Sequence, residues 1–110
     1  MNDKLLSFVG LCRRARRLVI GAQSCEKSLS EGKSKLIIYA SDISTSSLKP
    51  VLSAAERLGV ESLDIGRSKE ELSLALGKLC GVASVEDDGF AVKLRSMCMN
   101  EKGGELYDKI

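Results

Sequence analysis

Residues 18–42, LVIGAQSCEKSLSEGKSKLIIYASD, decide the architecture of this chain. Leu18–Ile20 reads as a short strand that stops at Gly21. From Ala22 to Glu31, Ala22, Cys25 and Leu29 recur at helical spacing, while Gln23, Ser24, Glu26, Lys27 and Ser30 fall on the other face. Gly32 is expected to end this helix in the left-handed conformation. Leu36–Ala40, LIIYA, is an unbroken apolar run, as expected of an interior strand covered on both faces. A glycine at a helix start offers no capping side chain, and free amides there receive anions. Arg13, Arg14, Arg16, Arg17, Lys33 and Lys35 flank the stretch, so cations are expected around that helix start, where a phosphate backbone would sit.

The alternation continues on both sides. Leu5, Phe8, Val9 and Cys12 form one stripe of a first helix over Asp3–Ala15. A third helix is expected over Ser47–Leu58, with Leu48, Val51, Leu52 and Ala55 inward, Pro50 tolerated in the first turn and Gly59 closing it. Ser62–Ile65 is the next strand. Ser68 and Glu71 make a capping box for a fourth helix that turns Leu72, Ala75 and Leu76 inward and ends at Gly77. Val82–Val85 is a strand, and Asp87 or Asp88 caps a fifth helix with Phe90, Ala91 and Leu94 inward. This order predicts an α/β chain folded as a three-layer α/β/α sandwich. Residues 1–98 are expected to form a single domain, and residues 99–110, which lose periodicity, a loosely ordered or partly helical C-terminal tail.

Composition narrows the function. The 110 residues, 44% apolar and 29% charged, suit one soluble core. The first residues place acid before the apolar patch and base after it, opposite to a secretory signal, and no apolar run approaches a membrane span. A cytoplasmic protein is expected. Net charge is only +2, yet residues 1–50 carry nine Lys and Arg against four Asp and Glu, while residues 51–110 carry eight against eleven. One basic face, and hence an anionic partner, follows from that asymmetry.

Catalytic signatures are absent. The chain has no histidine, and Cys12, Cys25, Cys80 and Cys98 are too far apart in sequence for a zinc knuckle, so they read as reduced thiols. Asp42 sits where an α/β enzyme keeps a catalytic group, but it reads more simply as a hydrogen-bonding partner of the turn into the third helix. Glu86, Asp87 and Asp88 read as a helix cap. No enzyme activity, metal, cofactor, small-molecule substrate or membrane is expected. With 4% aromatic residues, base stacking on a sheet is also unexpected, which leaves a loop-and-helix-end surface that reads irregular RNA shape.

Gly21, Lys27, Gly32, Lys35-Leu36 and Ala40-x-Asp42 together resemble a motif of the kink-turn RNA-binding ribosomal-protein family, called L-seven-Ae in archaea. Ser68-Lys69-Glu70-Glu71-Leu72, Ala75, Gly77-Lys78 and Val82-Ala83-Ser84 resemble its later segment. The opening Leu5-Leu6…Gly10-Leu11…Arg14-Ala15-Arg16-Arg17-Leu18-Val19-Ile20-Gly21 and Gly89-Phe90 look closest to its bacterial YlxQ-type branch. The resemblance implies a four-stranded mixed sheet and an RNA surface made by two loop regions. Gly21, Ala22, Gln23, Ser24 and Lys27 would form the first. Lys78, Leu79, Cys80, Gly81 and Val82 would form the second, with Arg13, Arg14, Arg16, Arg17, Lys33 and Lys35 as electrostatic contacts. Gln23 replaces the family's Asn and Ser24 its Glu, and the arginine-proline pair of the second loop is missing. The implied function is a non-enzymatic protein that recognises structured, kink-turn-like RNA in the ribosome or translation apparatus. Ser24 keeps an alternative open: an interaction module on that apparatus that has lost specific RNA readout.

Overall fold

A computed structural model describes residues 3–107, with side chains through Glu101. Its elements are α1 (Lys4–Arg14), β1 (Leu18–Ile20), α2 (Ala22–Ser30), β2 (Leu36–Tyr39), α3 (Thr45–Arg57), β3 (Ser62–Asp64), α4 (Lys69–Leu76), β4 (Val82–Val85) and α5 (Asp88–Tyr107). The strands form one mixed sheet in the order β1-β4-β2-β3. Strand β4 is antiparallel to both β1 and β2, and β2 is parallel to β3.

Side-chain alternation divides the core into two layers. Ile37 and Val82 pack with Cys25, Leu29, Val51 and Ala55, beneath α2 and α3. Leu36, Ile38, Ala83 and Val85 pack with Leu5, Val9, Leu72 and Leu94, beneath α1, α4 and α5. The three-layer sandwich expected from the element order is therefore what forms. All four cysteines are buried.

The capping box on α4 forms as predicted, with Ser68 accepting from Glu71 N–H and Glu71 accepting from Ser68 N–H. Asp87 caps α5 by accepting from Phe90 N–H at 2.9 Å. Two readings change. Helix α3 begins at Thr45, because Ser44 accepts from Ser47 N–H, so Pro50 lies in the second turn and not the first. That position is exposed, where water can satisfy the freed carbonyl. Asp42 serves α4, not α3: its carboxylate accepts from Lys69 N–H at 2.6 Å. On α3, Ala54 is buried and Leu52 only half-buried.

Arg67 fastens the first and last helices. It forks onto Asp3 at 2.6 and 3.1 Å and onto Glu101 at 2.7 and 3.2 Å. The Arg67 hydrogen bond holds the Asp3 carboxyl below its ordinary range, against the opposing effect of burial. Helix α5 runs across residue 98, where the tail was expected to begin, and continues to Tyr107. Residues 108–110 lie outside the described ones.

Candidate nucleic-acid interface

Helix α2 starts from Gly21, the residue leaving β1. Its φ of 96° is strained for any L side chain, while a Cβ there would meet nothing within 4 Å. Conformation, not space, reserves the position for glycine. Gly21 N–H donates to the Val82 carbonyl at 2.9 Å, which joins the start of α2 to the start of β4. No side chain caps α2, whereas Asp3, Ser44, Ser68 and Asp87 cap the other four helices. The first-turn amides of α2 are thus left as donors beside exposed Gln23 and Ser24.

The loop from α4 to β4 is held against this helix start. Ser73 Oγ accepts from Cys80 N–H at 3.0 Å and donates to the Cys80 carbonyl at 3.1 Å. Ala40 N–H donates to the Gly81 carbonyl at 2.9 Å. A Cβ on Gly81 would lie 3.0 Å from both Cγ1 and Cδ1 of Ile43, so the loop packs this closely on Ile43 because the residue is glycine. Leu79 is 76% exposed and Leu74 71% exposed. They line an open depression of about 670 Å³ with Asp42, Lys69 and Lys78.

The structure thus joins the segment Gly21, Ala22, Gln23 and Ser24 to the segment Lys78, Leu79, Cys80, Gly81 and Val82 through the Gly21–Val82 hydrogen bond, with Cys25 close enough to feel Cys80. Gln23, Ser24, Lys27, Lys78 and Leu79 are exposed, while Cys80, Gly81 and Val82 are buried and have mainly backbone to offer. Burial raises the Cys80 thiol, opposed by the charges of Arg13, Lys78 and Lys69. The Cys25 thiol is pushed up to about 12, first by burial and then by Cys80. These thiols stay protonated near neutrality and behave as packing groups.

The expected ring of cations around the start of α2 does not form. Because β1 and β4 are antiparallel, the residues that precede β1 meet the far end of β4. Glu86 N–H donates to the Arg17 carbonyl and Lys35 N–H to the Val85 carbonyl, each at 2.8 Å. Arg16, Arg17, Lys33 and Lys35 share a pocket at the opposite, C-terminal end of α2. Arg14 faces a shallow depression with Phe8, Lys93 and Met97. Arg13 differs, since its charge reaches Cys80 at the first end.

Ser73 and Ile43, which shape the second loop, escape sequence reasoning. A serine inside a helical pattern reads as solvent-facing, and nothing local marks it as the partner of a residue seven positions on. Ile43, a lone apolar residue between polar neighbours in Ser41–Thr45, is a faint signal of a buried anchor.

An α/β/α sandwich over a four-stranded mixed sheet, with an uncapped helix start tied to the start of β4, defines the class of fold. Residues 3–95 match the ribosomal protein L7Ae/L30e/S12e/Gadd45 family, and the chain belongs to it. It is 27% identical over 96 residues to the RNA-binding protein YlxQ of Enterococcus faecium, covering 87% of this chain and 92% of that protein. A protein of unknown function from Bacillus halodurans superposes with a TM-score of 0.80 at 31% identity, covering 86% of this chain and 96% of the other. A Giardia lamblia 15.5kD RNA binding protein shares the fold, with a TM-score of 0.72 at 24% identity over 92% and 89% of the two chains. Among the described residues, no group of three or more His, Cys, Asp or Glu could hold a metal ion. No helix among them is long and apolar enough to cross a membrane.

Proposed function

We propose that this chain is a non-enzymatic, cytoplasmic RNA-binding protein that recognises a kinked RNA of the translation apparatus. The carrying observation is the uncapped first turn of α2, tied through Gly21 to the Val82 carbonyl beside the exposed Leu79. Amide donors of a rigid helix start suit base edges or phosphates that a bent RNA presents at close range. Gln23 donates and accepts, Lys27 supplies charge on the same face one turn on, and Leu79 gives an apolar surface for an extruded base. Membership of the L7Ae/L30e/S12e/Gadd45 family and similarity to an RNA-binding YlxQ protein support this reading.

The test is affinity for a kink-turn RNA and a straightened control across a salt series. Preference for the kinked RNA is expected. Equal affinity for both would remove the kink from the proposal, and binding to neither would remove RNA.

A second reading rests on Leu74, whose exposed side chain widens the apolar patch beyond Leu79. Such a patch suits a protein partner on the same apparatus. Capture of partners that persists after ribonuclease treatment would favour it.

A further inference from the structure

The pole where Arg16, Arg17, Lys33 and Lys35 gather is about one helix length from the loop surface. Nine residues of α2 separate the two, roughly 13 Å at 1.5 Å per residue. Two depressions connect them. One, of about 230 Å³, is lined by Ser24, Lys27, Ser28, Glu31, Lys33 and Glu86. The other, of about 430 Å³, is lined by Arg16, Arg17, Gly32, Lys33, Lys35 and Glu86. Lys33 and Glu86 belong to both, so a polar groove runs from the first turn of α2 to the basic pole.

The backbone at Arg16 is strained in favour of this arrangement. Helices α2 and α3 each end with a left-handed glycine, Gly32 and Gly59, followed by a residue whose N–H returns to a carbonyl of the last turn. Helix α1 ends the same way, with Arg16 N–H donating to the Arg13 carbonyl and Arg17 N–H to the Cys12 carbonyl. Yet the left-handed position holds Arg16, at φ 60°, the one non-glycine with positive φ among the described residues. Glycine would be easier there, so the strain points to use of the arginine side chain.

The charges are also available. Among the described residues Arg16, Arg17 and Lys35 form no ion pair, and Lys33 has only an exposed contact with Glu31 at 3.4 Å. The acid in the groove is already engaged: Glu86 accepts from the Ser28 hydroxyl at 2.6 Å. Ser28 in turn lies 2.9 Å from buried Ser84, which donates to Ser34 at 2.7 Å.

We infer that this pole is a second RNA contact, a phosphate clamp for the strand leaving the loop surface along α2. The inference rests on the proposed RNA-binding function. The groove is long enough for a few successive phosphates of one strand. Loop surface and pole would then grip one RNA at two points, the first selecting shape and the second adding charge-dependent affinity for the adjoining stem.

The experiment measures binding of kink-turn RNAs with long or trimmed flanking stems by the wild type, Arg17→Gln/Lys33→Gln/Lys35→Gln and Arg16→Gly, across a salt series. The triple variant should lose at least roughly tenfold in affinity for the long-stem RNA, with a salt slope lower by about two to three. Its preference for kinked over straightened RNA should be unchanged, and trimming the stem should abolish the difference from wild type. Arg16→Gly should melt at a higher temperature yet bind the long-stem RNA more weakly, a divergence that a structural role alone does not produce. Wild-type affinity and slope in the triple variant, with RNA still bound, would overturn the clamp alone. Failure of the wild type to bind any of these RNAs would overturn the RNA reading and the clamp with it.

Discussion

At the N-terminal end of α2 the backbone does most of the presenting: uncapped amides follow a glycine in a conformation that other residues rarely adopt. At its C-terminal end the backbone is closed on itself through Gly32, and the side chains of Arg16, Arg17, Lys33 and Lys35 project instead. One end can discriminate because its donors are fixed to within the tolerance of the fold. The other holds long, rotatable cations that meet any phosphate and select little. In the proposed RNA-binding function affinity and selectivity have separate addresses on one helix, and substitutions at one should leave the other largely intact.

The strongest challenge to that separation is Gly81→Ala. The new methyl would press on Ile43, and overpacking of this kind costs about 1–3 kcal/mol. Thermal melts should show the loss, and discrimination between kinked and straight RNA should fall with it. Adding Ile43→Ala should recover much of both, because the clash partner is gone.

Ser24→Glu sharpens the contrast from the opposite direction. A carboxylate makes stronger hydrogen bonds than a hydroxyl, so preference for kinked RNA should rise by about 1–3 kcal/mol in paired titrations. An unchanged preference would mean that Ser24 does not face a base. Lys27→Ala should weaken binding by roughly tenfold, about 1.4 kcal/mol, with no change in melting temperature because the residue is exposed. A large drop in stability would show that its side chain is a structural element.

Much of this was legible beforehand because it is local. Apolar periodicity located the four strands and the first four helices to within a few residues, and Ser68 with Glu71 announced the start of α4, whereas α5 runs well past the point where periodicity fades. The ring of cations failed for a non-local reason: nothing in Arg13–Arg17 says that the following strand pairs antiparallel with a strand over sixty residues away. Buried Ser28, Ser34 and Ser84 were illegible for a related reason. A serine reads as solvent-facing until its hydroxyl partner, up to 56 residues distant, is in place. On the loop surface, Gly21 and Gly81 could be named from sequence, whereas the roles of Ile43 and Ser73 exist only once α4, β4 and the β2–α3 connection meet.

The smallest effect is expected at neither end of α2. Asp3 has its folded pKa lowered by Arg67, so its contribution is complete above the ordinary carboxylate value of 3.8 and is lost as pH falls through the lower folded value. Arg67→Gln should cost about 1 kcal/mol at neutral pH, flatten the acid limb of the stability profile and leave RNA binding alone. Altered RNA selectivity in that variant would mean that the two ends are coupled through the opposite layer.

That guanidinium has a topological consequence. Asp3 and Glu101 both lie within its reach, so the start of α1 and a middle turn of α5 stand side by side. In a chain trimmed to residues 3–101 a short linker could join Glu101 to Asp3, and the ring could be reopened at the exposed turn around Gly59. The permuted protein would keep every strand pairing while placing its new ends beyond α3, clear of the α4–β4 loop. Tags and surface tethers could then be attached there without trailing across the α4–β4 loop surface.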